Sequence, residues 1–259
     1  PDWVIKKEQI KSQHKKDTIW LFGLHAVRMA LSNSKRKKIR LMATTNGIKK
    51  ISNEVIGSGL EPEIYDSRNF NPPIDKNSVH QGVALEVLPL DWGSMSDCCK
   101  IDGDYSLVLL LDRVSDPHNV GAILRSAEVF GALAVIAPKR YSSPETGALA
   151  KSASGALERQ AYLRVPNLSR AQLALKEMGY TMIGLDQEAP TILREVIRNE
   201  SQNYRNAVAI VLGAEGSGLR ALTKVNCDII SRIGKADNFG SLNVSNAAAI
   251  SLYEAKSNI

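Results

Sequence analysis

The chain has 259 residues, 44% of them hydrophobic and 23% charged, and a formal net charge of +6 at pH 7. This composition is that of a globular protein with one large domain or two ordinary ones. No apolar run approaches the roughly 20 residues that a membrane helix needs, which argues against a membrane protein.

The first 90 residues predict a basic arm followed by a small α/β domain. Residues 1–16 are polar, lysine-rich and aperiodic, as is typical of a flexible arm. In the domain, residues 17–90, apolar side chains from Leu24 to Leu31 recur at helical spacing. Further predicted elements are a strand at 39–43, a helix at 48–56, and strands at 63–65 and 81–88.

The densest positive charge of the chain is the run at residues 35–40, K-R-K-K-I-R. One interpretation is a solvated face without a partner. The other is a surface that follows the phosphates of RNA or DNA and gains affinity by counterion release. Charge alone does not decide between them.

A linker with several Gly and Ser residues, 91–104, precedes a second α/β unit at 105–259. Its apolar strands alternate with helices, which predicts a parallel sheet covered on both faces. The predicted strands are 106–111, 134–137, 161–165, 180–185, 207–212 and 229–233. The predicted helices are 119–130, 144–155, 168–178 and 244–255.

Polar, glycine-containing turns follow three apolar runs of this unit, at residues 112–126, 212–219 and 240–249. Ligands of α/β proteins bind where strands end in such turns. In the first turn, Asn119 suits a helix N-cap, and Arg125 stands among apolar and small residues, where a guanidinium needs an anionic partner. The plainer interpretation is that Asn119 only caps the helix and Arg125 only reaches solvent.

The other two turns also allow two interpretations. Glu215 stands among glycines, which let a ligand approach the backbone closely; otherwise it is an exposed side chain in a tight turn. Ser241, Asn243 and Ser245 offer polar groups to a ligand, or simply cap the last helix.

Common nucleotide-site and hydrolase motifs do not explain these glycines. Residues 213–218 read G-x-x-G-x-G, which differs from the dinucleotide fingerprint G-x-G-x-x-G. The chain has no P-loop and no G-x-S-x-G elbow. Cys98, Cys99 and Cys227 have neither C-x-x-C nor zinc-site spacing, so we expect free thiols, no metal and a cytoplasmic protein. The chain does not begin with Met, and targeting to an organelle stays an open alternative.

Taken together, the three turns resemble the motifs of the SpoU/TrmH family of RNA ribose 2′-O-methyltransferases. They read N-x-G-A-I-x-R-S-A-x-x-F-G at 119–131, L-G-A-E-G-x-G-L at 212–219 and S-L-N-V-S-x-A-A-A-I-x-L-Y-E at 241–254. The first domain resembles the L30e-like domain of the RlmB-type subgroup through F-G-L-H-A-V at 22–27 and H-Q-G at 80–82. The resemblance covers about residues 20–256.

This resemblance implies an α/β fold with a small L30e-like RNA-binding domain and a parallel-sheet catalytic domain that carries a C-terminal deep trefoil knot. It implies S-adenosyl-L-methionine as the cofactor, RNA as the substrate and a homodimer as the assembly. The residues that it assigns to catalysis are Asn119, Arg125, Glu215, Ser241, Asn243 and Ser245. The residues that it assigns to the cofactor are Gly184, Leu185, Leu212, Gly213, Ile233 and Leu242.

Arg125 is the expected catalytic residue, placed by Asn119 against the target phosphate. Arg125 is a poor general base because its guanidinium stays protonated. An equally good role is electrostatic stabilisation of the alkoxide that develops on the ribose, with phosphate or water taking the proton. The segment 233–240, I-G-K-A-D-N-F-G, departs from the I-P-M-x-G that is usual in the family, since it lacks the proline and carries the charged Lys235 and Asp237. With the three main motifs intact, we still expect an active enzyme.

The resemblance favours a guanosine of large-subunit rRNA as the target. Two alternatives stay open, a tRNA ribose methyltransferase and a catalytically idle RNA-binding protein of ribosome assembly. DNA is a weaker candidate because only RNA offers the 2′-OH.

Overall fold

The structure is a computed structural model that describes residues 18–103, 105–198, 207–234 and 242–257. It divides into two compact units. The first contains the chain up to Asp91 together with Glu145–Glu158, and the second contains Trp92–Pro144 and the chain from Arg159 onward. Segment 145–158 thus belongs to the first unit, although the sequence places it with the second. The predicted arm at 1–16 lies outside the described residues.

The first unit is built on a four-stranded sheet with the order β1-β4-β2-β3. Its strands are β1 (Ile19–Phe22), β2 (Lys38–Thr44), β3 (Pro62–Tyr65) and β4 (Val83–Val87). Its first helices are α1 (Leu24–Ser32), α2 (Thr45–Lys49) and α3 (Ser52–Ser58). Strand β4 runs antiparallel to both β1 and β2, whereas β3 runs parallel to β2.

The second unit is built on a seven-stranded sheet with the order β7-β6-β5-β10-β8-β11-β9, in which every pair is parallel. Its strands are β5 (Ser106–Asp112), β6 (Ala134–Pro138), β7 (Ala161–Val165), β8 (Thr181–Leu185), β9 (Thr191–Ile192), β10 (Ala207–Gly213) and β11 (Ile229–Arg232). The helices that follow in chain order are α4 (Met95–Cys98), α5 (Pro117–Val129), α6 (Gly147–Ala153), α7 (Leu168–Glu177), α8 (Leu193–Arg198), α9 (Ala221–Val225) and α10 (Val244–Lys256). Helix α6 belongs to the first unit and the others to the second.

Burial explains why the second sheet is parallel and central. All seven residues of β5 are buried, which requires cover on both faces of the sheet. Leu168 and Leu175 of α7 pack into the core cluster that holds Val108 and Leu110 of β5. The predicted α/β class with a parallel sheet is confirmed. The trefoil knot and the L30e-like character of the first unit stay predictions. None of the described helices is long and apolar enough to cross a membrane.

The sequence missed elements that depend on distant partners. Strand β1 has only four residues and pairs with β4, so that Ile19 lies opposite Val87. Strand β9 has only two residues. The helix predicted at 48–56 is two helices, because Ile51 leaves helical geometry (φ −127°, ψ 21°) and is fully buried.

Candidate active site

Side chains from the three polar turns meet in one hydrogen-bonded cluster. Asn119 Nδ2 donates to Glu215 Oε1 at 3.1 Å, and Asn243 Nδ2 donates to the same oxygen at 2.7 Å. Asn243 Nδ2 also donates to Asn119 Oδ1 at 3.0 Å. Because β5 and β10 are neighbours in the sheet, the turns after their carboxyl ends lie side by side. The structure thus brings together three of the residues that the resemblance assigns to catalysis, Asn119, Glu215 and Asn243.

Asn119 is free for this cluster because another residue caps its helix. The N-cap of α5 is Asp116, whose carboxylate accepts from the backbone N–H groups of His118 and Asn119 at 3.1 Å each. Pro117 then occupies the first helical position, which suits its fixed φ. The expectation that Asn119 caps this helix is wrong, since the Asp-Pro pair starts the helix earlier.

Glycines shape the turn that presents Glu215. A Cβ on Gly213 would lie 2.2 Å from the backbone carbon of Gly218, so only glycine lets the turn fold back on the end of β10. Gly216 and Gly218 have φ of 79° and 62°, in the left-handed region that glycine tolerates. Glu215 itself is exposed at the tip. Its Oε2 makes no hydrogen bond within the described part of the chain.

Asn243 is held by the last helix. It is the N-cap of α10, and its Oδ1 accepts from the backbone N–H of Ser245 at 2.9 Å and from Ser245 Oγ at 2.6 Å. The predicted capping role is thus confirmed, and it fixes the amide so that Nδ2 points at Glu215. Ser241 lies outside the described residues.

An ion pair between a buried carboxylate and a partly exposed arginine ties the first two turns together, and sequence reasoning missed it. Asp112 ends β5 with no exposed surface, and its carboxylate accepts from Arg220 Nε at 2.7 Å and from the Arg220 backbone N–H at 3.0 Å. Arg220 lies directly after the Glu215 turn. The sequence did contain one indication of this ion pair, because Asp112 is an acidic residue at the end of an otherwise apolar strand.

Arg125 stands apart from the cluster. It is exposed on α5, and it makes no hydrogen bond or ion pair within the described ranges. Arg125 is six residues beyond Asn119, and at 100° per residue this turns its side chain about 120° away around the helix. The anionic partner that the sequence predicts for this guanidinium is absent from the described part of the protein.

Some of the residues expected to bind the cofactor have accessible surface at the strand ends, and the others are buried in the sheet. Leu185, Gly213 and Ile233 are half-buried at or just beyond the carboxyl ends of the adjacent strands β8, β10 and β11, and Leu242 is 49% exposed. Leu212 is buried in the sheet.

Gly184 has a packing role, since a Cβ there would lie 2.7 Å from Ile230 Cδ1 and 2.9 Å from Cys227 Sγ.

Three charged side chains near these strand ends, those of Asp186, Lys224 and Arg232, are engaged by neighbouring groups of the protein. Lys224 binds Asp186, which follows β8, and this hydrogen bond lowers the pKa of the Asp186 carboxyl below its usual range. Arg232, at the end of β11, donates to the carbonyl oxygens of Ala189 and Pro190. The second contact is 2.5 Å. This gives Arg232 a structural role that its sequence context did not predict.

The cysteines are free thiols, as predicted, and burial disfavours the reactive thiolate form of two of them. Burial raises the pKa of the Cys99 thiol to about 12, and the same cause raises the pKa of the Cys227 thiol to about 12. Neither is a thiolate at neutral pH, so the polar cluster is the better candidate for chemistry.

The basic run of the first unit is only partly available to a ligand. Arg36 is buried, and it is paired with Glu145 at 2.8 Å and Glu158 at 2.7 Å. Arg40 is paired with Glu63 at 2.6 Å. The exposed lysines of the run are Lys35 and Lys37. Charge density in the sequence therefore overstates the positive surface.

Comparisons with known proteins agree with the fold, and the family match spans the three turns. The model of the SpoU rRNA Methylase family matches residues 106–253. The 23S rRNA (guanosine-2′-O-)-methyltransferase RlmB of Coxiella burnetii is 35% identical over 91% of this chain and 94% of its own length. A Burkholderia protein of the same name is 48% identical over 68% of this chain and 69% of its own length.

A solved structure with a similar fold is that of the SpoU methyltransferase AviRb from Streptomyces viridochromogenes in complex with the cofactor AdoMet. Its TM-score is 0.74 at 21% identity, and the match covers 95% of this chain and 92% of that one.

Proposed function

We propose that this chain, which belongs to the SpoU rRNA methylase family, transfers the methyl group of S-adenosyl-L-methionine to the ribose 2′-OH of a guanosine in large-subunit rRNA. The observation that carries the proposal is the Asn119–Glu215–Asn243 cluster, because three turns far apart in the chain bring their polar side chains to one exposed point. Relatives named as 23S rRNA guanosine-2′-O-methyltransferases support the substrate.

The strand ends beside this cluster suit the cofactor. An adenosine needs apolar side chains against its faces and backbone groups at its edge. Leu185, Ile233 and Leu242 are half-buried or exposed apolar residues next to the ends of β8, β11 and the start of α10. When bound, S-adenosyl-L-methionine supplies a methyl group on a sulfonium, which needs no further activation.

The residues of this chain must then orient and deprotonate the ribose hydroxyl. The transfer would form a bond between the 2′-oxygen and the methyl carbon and break the carbon–sulfur bond, and the hydroxyl proton would pass to the Glu215 carboxylate and from there to solvent. Glu215 Oε2 is available to accept a hydrogen bond from the 2′-OH, and Asn119 and Asn243 hold that carboxylate in place. Ser245 holds Asn243. For Ser241, which the resemblance also assigns to catalysis, the proposed role is to hold its own loop or the substrate.

Arg125 has the electrostatic role. Its guanidinium is permanently charged and is turned away from the Glu215 cluster, so it binds the phosphate of the target nucleotide and in this way neutralises charge beside the reacting ribose. Its exposed position on α5 leaves it accessible to RNA.

A second copy of the chain would cover an apolar face formed by α5 and α10. Val129 is 73% exposed and Tyr253 56% exposed, and Tyr253 makes an edge-to-face contact with Phe130 at 6.3 Å between ring centroids. Large apolar residues grouped on a surface mark an interaction site. We infer a homodimer, to be checked by analytical ultracentrifugation; a Val129→Glu, Tyr253→Glu variant should sediment as a monomer.

The free thiols and a ribosomal substrate agree with a cytoplasmic protein.

Methyl transfer from labelled S-adenosyl-L-methionine to rRNA and tRNA from cells that lack the gene tests the function. Label at a guanosine 2′-oxygen of large-subunit rRNA is the expected result. Label in tRNA would retain the chemistry and reject the substrate. No label in free RNA or in ribosome-assembly particles, despite cofactor binding, would favour an idle RNA-binding protein.

The role of Arg125 has a separate test. Arg125→Ala should lower kcat at least 100-fold, while calorimetry finds the affinity for S-adenosyl-L-methionine close to that of the wild type. Near-normal turnover in this variant would reject Arg125 as a catalytic residue.

A further inference from the structure

Arg113 and Tyr141 form an exposed pair beside the candidate active site. The Arg113 guanidinium carbon lies 4.9 Å from the centre of the Tyr141 ring. Arg113 directly follows β5 and Tyr141 lies in the loop after β6, the next strand of the sheet. The loop of Arg113 leads into α5, whose first turn carries Asn119, so the pair flanks the polar cluster on the side away from β10.

Both residues have unusual backbone geometry. Arg113 has φ 65° and Tyr141 has φ 62°, in the left-handed region. A non-glycine residue held there costs of the order of 1 kcal/mol or more, and such strain concentrates at functional sites. Burial of the Tyr141 side chain does not offset this cost, because the residue is 70% exposed.

The loop that carries Tyr141 is fixed from several directions. Ser142 Oγ donates to the carbonyl of Pro138. The buried Tyr162 hydroxyl donates to the Ser143 carbonyl at 2.6 Å, and Arg164 donates to the carbonyls of Lys139 and Ser142, the latter at 3.3 Å. The backbone on both sides of Tyr141 is therefore anchored, and the ring lies in solvent with the Arg113 guanidinium against it.

Positive charge is concentrated in the two loops that carry this pair. Arg113, Lys139 and Arg140 are exposed, and the side chains of Lys139 and Arg140 have no hydrogen-bond or ion-pair partner in the described segments. The nearby carboxylates are engaged: Asp112 is paired with Arg220, and Asp116 accepts from the first N–H groups of α5. The loops thus present cations beside a fixed aromatic ring.

We propose that the Arg113–Tyr141 pair is a stacking platform for an unpaired base of the RNA, next to the nucleotide that is methylated. Lys139 and Arg140 contact the phosphates that flank that base. A fixed ring with a guanidinium against it, beside free cations, is the chemistry that recognises single-stranded nucleic acid. The inference rests on the proposed function, because it takes RNA as the substrate.

Two substitutions at Tyr141 separate the ring from the backbone. Tyr141→Asn removes the ring and keeps a residue that tolerates left-handed φ, and Tyr141→Phe keeps the ring. Loss of a stacked base should raise the KM for rRNA about tenfold or more in the Asn variant, while kcat stays within about threefold. The Phe variant should restore the wild-type KM. Thermal unfolding of both variants checks that the loop is intact.

A pair of lysine variants tests the phosphate contacts. Lys139→Gln should reduce the magnitude of the slope of log affinity against log salt concentration by about 1, which is the contribution of one phosphate contact. Lys100→Gln is the matched control, since Lys100 is also exposed but precedes β5 and so lies towards the other edge of the sheet. Equal slopes in the two variants would contradict the phosphate contact.

Filter binding of the RNA, measured beside turnover, separates this inference from the proposed function. Methyl transfer by wild type with an unchanged KM and affinity in Tyr141→Asn would overturn the platform and leave the function intact. RNA binding that depends on Tyr141 without any methyl transfer would support the platform and reject the function. If Tyr141→Asn instead lost affinity for a protein of the ribosome-assembly particle and not for bare RNA, the platform would also be overturned.

Discussion

Two three-residue polar networks, one in each unit, differ in what their surroundings allow them to do. Arg36, Glu145 and Glu158 come together over 109 and 122 residues of chain, and the exposed fractions of their side chains are 0%, 7% and 4%. Asn119, Glu215 and Asn243 also come from distant segments, but Glu215 and Asn243 are exposed. The first network has no access to a substrate, whereas the second is open to one.

The comparison teaches that burial, and not the presence of charge, separates structural from functional networks. A buried ion pair is costly to break because the remaining charge has no solvent. A polar cluster at the surface adds little to stability, so its precise arrangement calls for another explanation. Both networks can be broken one residue at a time.

The largest expected effect is that of Arg36→Met on stability. Removing the guanidinium leaves two buried carboxylates unpaired, and the free energy of unfolding should fall by about 3–5 kcal/mol. Urea denaturation measures it. Arg40→Met is the matched control, because Arg40 forms an exposed pair with Glu63 and its loss should cost under about 1 kcal/mol. Similar losses of unfolding free energy in the two variants would show that burial does not determine the contribution of these ion pairs to stability.

The next effect is that of Glu215→Gln on activity. The substitution keeps the shape of the side chain and removes its charge, so methyl transfer should fall about 100-fold while the urea midpoint stays unchanged. Glu177→Gln, at an exposed position that ends α7, is the control and should retain full activity. A large loss of stability in Glu215→Gln would make the exposed cluster structural and contradict the comparison.

Coupling between the two amides should be smaller. Asn243→Ser keeps a good N-cap on α10 and removes the Nδ2 donor, and Asn119→Ala removes the other amide. Each single change should lower kcat about tenfold, and the double variant should lose less than the product, with a coupling of about 1 kcal/mol. Kinetics of the four proteins measure the coupling. Simple multiplication of the two effects would mean that the amides do not act as one unit.

The smallest effect is a pH dependence of stability that comes from Glu145. Burial raises the pKa of its carboxyl, although Arg36 opposes the shift. The folded protein therefore binds this proton more tightly than the unfolded chain. Its contribution is fully present below the ordinary pKa of about 4.3 and is lost as the pH rises through the raised value. Glu145→Gln should flatten this slope in urea titrations above pH 4; an unchanged slope would assign it to another group.

The networks also show what the sequence could predict. The strands before the Glu215 and Asn119 turns are long apolar runs, so their place in a parallel sheet followed from local pattern. The capping residue of α5 did not follow from local pattern, because Asp116 and Asn119 are both good N-cap residues. Only the structure shows that Asp116 caps the helix and leaves Asn119 free. Asp112 was visible as an acid at a strand end, but its partner Arg220 is 108 residues away.

The same limit applies to the first unit. Arg36 belongs to the most basic run of the chain, and nothing local indicates that it is buried against two glutamates more than 100 residues later. Deleting residues 1–90 would remove Arg36 and leave Glu145 and Glu158 without their partner, so a domain deletion cannot report RNA binding alone.

The measurement that tests the central claim most directly is alkaline hydrolysis of RNA labelled by the wild-type protein with methyl-labelled S-adenosyl-L-methionine. A methylated 2′-oxygen cannot attack the neighbouring phosphate, so ribose methylation predicts that the label remains in an alkali-resistant dinucleotide. Label released in a mononucleotide would place the methyl group on a base, and would contradict a site built to act on the ribose hydroxyl.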